Sequence, residues 1–151
     1  MSRSAGEALG TTGQGNAAAG PQRGLLDTSI FIAREIPRRL DVALLPEESA
    51  VSAVTVGELQ AGVLAAESTP VRARRLATLE AIGDVEVLAV DEAVAGCWAM
   101  LRVHVAEAGR RVNVNDLWIA ATALAHKIPV VTQDGDFGVI EGAGGLQVVY
   151  A

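Results

Sequence analysis

Short apolar runs alternating with helix-patterned segments are the feature that most constrains this chain. The runs are Leu25-Leu26, "SAVSAVT" (49–55), "VEVLAV" (85–90), "PVVT" (129–132) and "GLQVVY" (145–150). Between them, "IFIAREIPRRLDVAL" (30–44) reads as helix interrupted at Pro37. "VGELQAGVLAAE" (56–67) follows as helix with Thr55 at its N-cap. Thr69 is placed to cap the next helix (69–82), with Pro70 in the first turn, where proline is favoured. From Asp91 onward, Val94, Trp98, Leu101 and Val105 recur at the spacing of one buried helix face. "NVNDLWIAATALAHK" (113–127) predicts a further helix, entered through Asn115. Strands that are apolar throughout are buried on both faces, as in parallel sheets covered by crossover helices. One α/β domain is expected, with no internal repeat.

The interior must be aliphatic, because half of the residues are apolar but only 3% are aromatic. Residues 1–23 carry no apolar period and read as a disordered extension, leaving 24–151 as the folded domain. They lack the apolar centre of a secretory signal, and no stretch reaches the ~18 apolar residues of a membrane span. Cys97 is the single cysteine, so no internal disulfide is available and a cytoplasmic location is expected. With two histidines beside it, a Cys/His zinc site is not expected. A metal here would need oxygen ligands, which favours magnesium, manganese or calcium.

The acids that could supply those oxygens stand beside strand ends. Asp27 follows the first strand and Glu58 lies about one helical turn beyond the second. Asp116 opens the helix before the fourth strand, and Asp134 and Asp136 follow that strand. Ligands of open α/β sheets bind beyond the carboxyl ends of the strands, so these five could share one site. Each also has a structural reading. Thr55 and Glu58 match a capping box, Asp116 suits a first helical turn, and Asp134 and Asp136 flank a turn glycine. Asp27 could cap the helix after it. Gathering carboxylates raises their pKa values and destabilises the fold unless a cation compensates. Without these five acids the net charge of −6 would be −1. That net charge argues against a simple basic nucleic-acid binder. The arginines are clustered nevertheless, as Arg38-Arg39, Arg72 with Arg74-Arg75, and Arg110-Arg111, and arginine forks onto phosphate. Taken singly, each cluster reads as a solvated surface.

Four pieces in order, "LLDTSIFI", "VTVGELQAGV", "RVNVNDLWIAATAL" and "PVVTQDGDF", resemble the PIN-domain ribonucleases, and among them the toxins of VapBC-type toxin–antitoxin pairs. The resemblance spans roughly residues 24–150. It implies a three-layer α/β/α fold around a parallel sheet and a Mg²⁺- or Mn²⁺-dependent endoribonuclease. On the matching positions it implies catalytic roles for Asp27, Glu58, Asp116 and Asp136, with Asp27, Asp116, Asp136 and Asp134 as metal ligands. Which of Asp134 and Asp136 touches metal stays open, and Glu58 either completes the metal shell or orients the attacking water. Thr28 and Thr132 match polar positions near the site. The resemblance further implies an RNA substrate, a cognate antitoxin whose C-terminal segment wraps the toxin, and a homodimer. Candidate contact surfaces are the helices around Ile32–Leu44 and Leu59–Leu79. No histidine falls in these pieces, so His104 and His126 are expected on helix surfaces.

Two other readings compete. A phosphoryl-transfer hydrolase with Asp27 as nucleophile fits poorly, because the position two residues on is Ser29 rather than an acid. A non-catalytic module, in which the acids hold a structural cation or dock a basic partner, predicts no RNA cleavage.

Overall fold

The computed structural model describes residues 19–33, 35–36 and 38–151. Most of the segment read as an extension, residues 1–18, therefore lies outside the described residues, as does Pro37. The last part of that segment is built into the domain. The Pro21 and Gln22 carbonyls accept from the Glu47 and Glu48 amides, and Arg23 opens the first strand.

Five strands form one sheet: β1 (Arg23–Leu26), β2 (Glu48–Ser52), β3 (Glu86–Leu88), β4 (Val130–Thr132) and β5 (Val148–Tyr150). Their spatial order is β3-β2-β1-β4-β5 and every pairing is parallel, as the apolar runs require. Successive strand residues face opposite sides. Leu25, Ala50, Leu88 and Val130 pack on one face, and Leu26, Val51 and Val131 on the other. Helices α1 (Thr28–Ile32), α2 (Ala53–Leu64), α3 (Thr69–Glu80), α4 (Glu92–Glu107) and α5 (Val114–Ala125) complete the three layers. Leu101, Val105, Leu117 and Ile119 of α4 and α5 fill the first core, while Ile30, Phe31 and Leu59 of α1 and α2 fill the second. Trp98 and Trp118 stack with ring centroids 4.8 Å apart, which locks α5 against α4.

Several boundaries differ from the sequence expectations, each for a local reason. The helix expected over 30–44 is one turn, α1, followed by a separate 3₁₀ turn at Val42–Leu44. Ile30, Phe31, Ile32 and Leu40 of this stretch reach the second core, but Ile36 and Val42 stand exposed. β2 stops at Ser52, whose hydroxyl accepts from the Val54 amide and so caps α2. Thr55 is inside that helix, fully buried, and the capping box with Glu58 does not form. Ser68 rather than Thr69 caps α3, and Asn113 rather than Asn115 caps α5. β5 is shorter than "GLQVVY" because Gly144 and Gly145 take positive φ in a 3₁₀ turn (Ala143–Gly145) before it.

Ser52→Ala removes the cap at the point where β2 turns into α2. It should lower stability by about 1 kcal/mol, read as a shift of the urea midpoint at unchanged slope.

Candidate metal centre

Strand order reverses at β1. The chain runs outward from β1 to β2 and β3, then returns to β4 on the other side. This is where open α/β sheets leave a crevice beyond their strand ends, and the acids converge there. Asp27 follows β1 and caps α1, its carboxylate accepting from the Ser29 amide. Thr132, at the end of β4, donates to Asp27 Oδ2 at 2.9 Å, welding the two central strands together. Ser29 Oγ lies 3.2 Å from the same Thr132 hydroxyl and accepts from the Gln133 amide. Thr132 Oγ1 also accepts from the Asp134 amide at 2.8 Å, and Asp134 Oδ1 accepts from the Asp136 amide at 2.9 Å. Asp134 thereby caps the 3₁₀ helix Gly135–Val139 that carries Asp136.

Glu58 enters from α2. Thr28 Oγ1 donates to its Oε1 at 2.6 Å, and Asn115 Nδ2 donates to its Oε2 at 3.2 Å. Thr28 has one hydroxyl proton and the charged acceptor takes it, so the 3.0 Å contact between Thr28 and Thr55 is carried by the Thr55 hydroxyl. Glu58 is thus held from both sides by residues of α1 and α5. That explains why it sits in the helix without serving as a cap partner.

Asp116, in the first turn of α5, meets Asp134 and Asp136, one carboxylate oxygen of each lying within 4.8 Å of the others. Burial, followed by the charges of Asp27, Asp134, Glu58 and Asp136, pushes the Asp116 carboxyl up to about 7. All five acids therefore share one electrostatic environment. Asp27 is 2% exposed, and burial raises its pKa despite the opposing hydrogen bonds from Ser29 and Thr132. Its Oδ1 is buried without a hydrogen-bond partner. An orphaned carboxylate oxygen beside three clustered carboxylates is the donor set a hard divalent cation takes. The group whose oxygens lie within 4.8 Å of one another takes in Asp116, Asp134 and Asp136 but neither Asp27 nor Glu58. The residues fit such an ion.

Sequence reasoning missed Ser29 and Asn115. Both lie in quoted pieces, immediately beside Thr28 and Asp116, but their partners, Thr132 and Glu58, are distant in sequence. His126 caps the far end of α5, ten residues and about 15 Å along the axis from Asp116. A cavity of about 780 Å³ between α4 and the Ala143–Gly145 turn, lined by Cys97, Met100, Lys127 and Leu146 among others, contains none of these acids.

The PIN domain family matches residues 24–143. The chain is 54% identical over 129 residues to Ribonuclease VapC5 of Mycobacterium tuberculosis, covering 85% of this chain and 96% of that protein. It is 44% identical over 119 residues to Ribonuclease VapC4 of the same organism, covering 79% of this chain and 92% of that one. Among solved structures, VapBC-5 from Mycobacterium tuberculosis, a member of the VapBC family of toxin-antitoxin systems, superposes with a TM-score of 0.81 at 50% identity. That match covers 87% of this chain and all of the matched one.

The raised Asp116 pKa sets a direction for stability without metal. The folded chain holds this proton up to about pH 7, whereas the unfolded carboxyl releases it near 3.8. The folded state binds more protons across that window, so stability falls as pH rises through it. The melting temperature in EDTA should therefore fall from about pH 5 to about pH 8, and Asp116→Asn should flatten the profile. Adding Mn²⁺ at about 100 times its Kd should restore about 2.7 kcal/mol, measured as a rise in melting temperature at the higher pH.

Proposed function

The chain belongs to the PIN-domain family, and from that premise we propose that it is a VapC-type toxin: a Mg²⁺-dependent endoribonuclease restrained by a cognate antitoxin. Mn²⁺ is the alternative ion. The observation that carries the metal-centre reading is the convergence of Asp116, Asp134 and Asp136 beside the unpartnered Asp27 Oδ1. The ribonuclease activity is supported by the VapC relatives, and the antitoxin by the toxin–antitoxin system to which the VapBC-5 structure belongs. Residues 24–151 are the nuclease domain in this reading.

The reaction is hydrolysis of an RNA phosphodiester. A divalent cation at such a centre supplies positive charge that lowers the pKa of water and neutralises phosphate oxygens. Asp27 and Asp116 are the principal ligands, joined by Asp136 and Asp134. Thr132 and the Ser29 amide fix Asp27 Oδ2, so Oδ1 is the oxygen Asp27 would offer to a cation. Glu58 would orient the attacking water. Its carboxylate is oriented by Thr28 and Asn115, yet each oxygen keeps a free lone pair for a water proton. Phosphate is anionic, so the same acids repel it until a cation is present, which makes cleavage strictly metal-dependent.

The antitoxin and a second copy of the chain are the proposed protein partners. Leu64, 82% exposed, with Ile36, Val42 and Leu76 gives the stretches 32–44 and 59–79 apolar surface for such contacts. Among the described residues no helix is long and apolar enough to cross a membrane.

Incubating the purified chain with a pool of tRNA and rRNA tests the reading. Cleavage should require Mg²⁺ or Mn²⁺, stop in EDTA, and fall by about a hundredfold or more in Asp27→Asn and Asp116→Asn. Thr28→Val, which releases Glu58, should cost about tenfold. Equal cleavage by wild type and Asp27→Asn would show that the acids are not the nuclease centre.

A further inference from the structure

A strand of RNA cannot be held by the acids alone, because the phosphates on either side of the one being cut meet the same negative field. Beside the acids lies a shallow groove of about 470 Å³ lined by Arg38, Arg39, Gln133, Tyr150 and Ala151. It is joined to the metal centre through the backbone. Gln133 follows Thr132 and precedes Asp134. Its amide donates to Ser29 Oγ, while its side-chain Nε2 donates to the carbonyls of Arg39 (2.8 Å) and Ala151 (3.2 Å). Tyr150 pairs in register with Thr132 and so lies one strand, about 5 Å, from the residue that holds Asp27.

Two properties of the groove identify its occupant. Among the described residues, neither Arg38 nor Arg39 forms an ion pair, and both are exposed, so two guanidinium groups are available to phosphate. Tyr150 is also the one exposed aromatic of the chain. Phe31 and Phe137 are buried and the two tryptophans stack on each other. Its ring reaches toward the 3₁₀ helix that carries Asp136, since a Cβ built on Gly138 would stand 3.5 Å from the Tyr150 hydroxyl. An aromatic face beside forked cations is the combination that binds single-stranded nucleic acid, by stacking a base and contacting the backbone.

We infer that the groove formed by Arg38, Arg39 and Tyr150 holds the unpaired RNA strand next to the cleaved phosphodiester, Tyr150 stacking one base and the arginines meeting its phosphates. This rests on the ribonuclease reading for its substrate, but not for its binding chemistry. The three are positioning residues. They act on affinity and register rather than on the bond that breaks.

The test uses the full chain and a fluorescein-labelled single-stranded RNA of mixed sequence, about 12 nucleotides long, with binding read by anisotropy in an Asp116→Asn background and cleavage read in the otherwise native chain. Arg38→Ala with Arg39→Ala should weaken binding about tenfold and reduce the slope of log affinity against log salt by about 1.4, two phosphate contacts on a single strand. Tyr150→Ala should weaken binding about tenfold and Tyr150→Trp should restore it, whereas Tyr150→Leu should not. In cleavage, KM should rise with kcat little changed. Melting temperatures check folding, and the Trp and Leu variants keep the comparison usable if the alanine variant is unstable. Unchanged affinity and salt slope overturn the inference, as does a loss confined to antitoxin binding with RNA affinity intact. If wild type cleaves RNA and the variants keep its KM, the groove is wrong and the ribonuclease reading stands. If no RNA is cut but the variants lose RNA affinity, the groove stands and the ribonuclease reading fails.

Discussion

Mutual repulsion among carboxylates at the carboxyl end of the sheet is the constraint around which the molecule is arranged. Asp27 and Asp116 are held with raised pKa values, and for Asp116 four neighbouring acids add to the effect of burial. A fold that needed only a polar turn would disperse these charges. Here Asp27 and Glu58 are fixed by neutral donors, Thr28, Ser29, Asn115 and Thr132, none of which cancels a negative charge. The donors orient oxygens and leave the charge for a cation, and the all-oxygen composition of the cluster favours a hard ion over zinc.

The scaffold supplies the rigidity that this arrangement demands. Both central strands are buried on two faces, and each delivers its acid within one or two residues of its last paired position. Asp116 arrives on a helix whose inner residues are almost fully buried and whose outer tryptophan stacks on α4. On one side the cluster borders a groove that carries positive charge and an aromatic ring. The net charge of the chain hides this segregation of sign.

The layered fold was legible in the sequence because the buried pairs Leu25-Leu26, Ala50-Val51 and Val130-Val131 are apolar on both faces of the sheet, a pattern that admits few alternatives to a covered parallel sheet. The acids were legible because they follow strand ends within short, recognisable pieces. What the sequence could not convey were choices between chemically equal neighbours. Ser52 and Thr55 are both competent caps, and the pairing of Ser52 with Leu88 in the sheet decides where the helix begins. Ser68 and Thr69 present the same ambiguity. The stretch from Ile32 to Leu44 carries recurring apolar residues, but burial rather than spacing sustains a helix, and Ile36 and Val42 stay exposed. The role of Glu58 was equally hidden, since its capping-box spacing was real while its partners, Thr28 and Asn115, come from other helices.

Proton release on metal binding tests the central claim most directly. If the cluster is a cation site, Mn²⁺ must displace the proton that Asp116 holds up to about pH 7. Calorimetric titrations in buffers of different ionisation enthalpy count those protons. The account predicts binding that releases protons near pH 6 and fewer near pH 8, with the release reduced in Asp116→Asn. Absence of binding, or binding with no proton release at either pH, would contradict it.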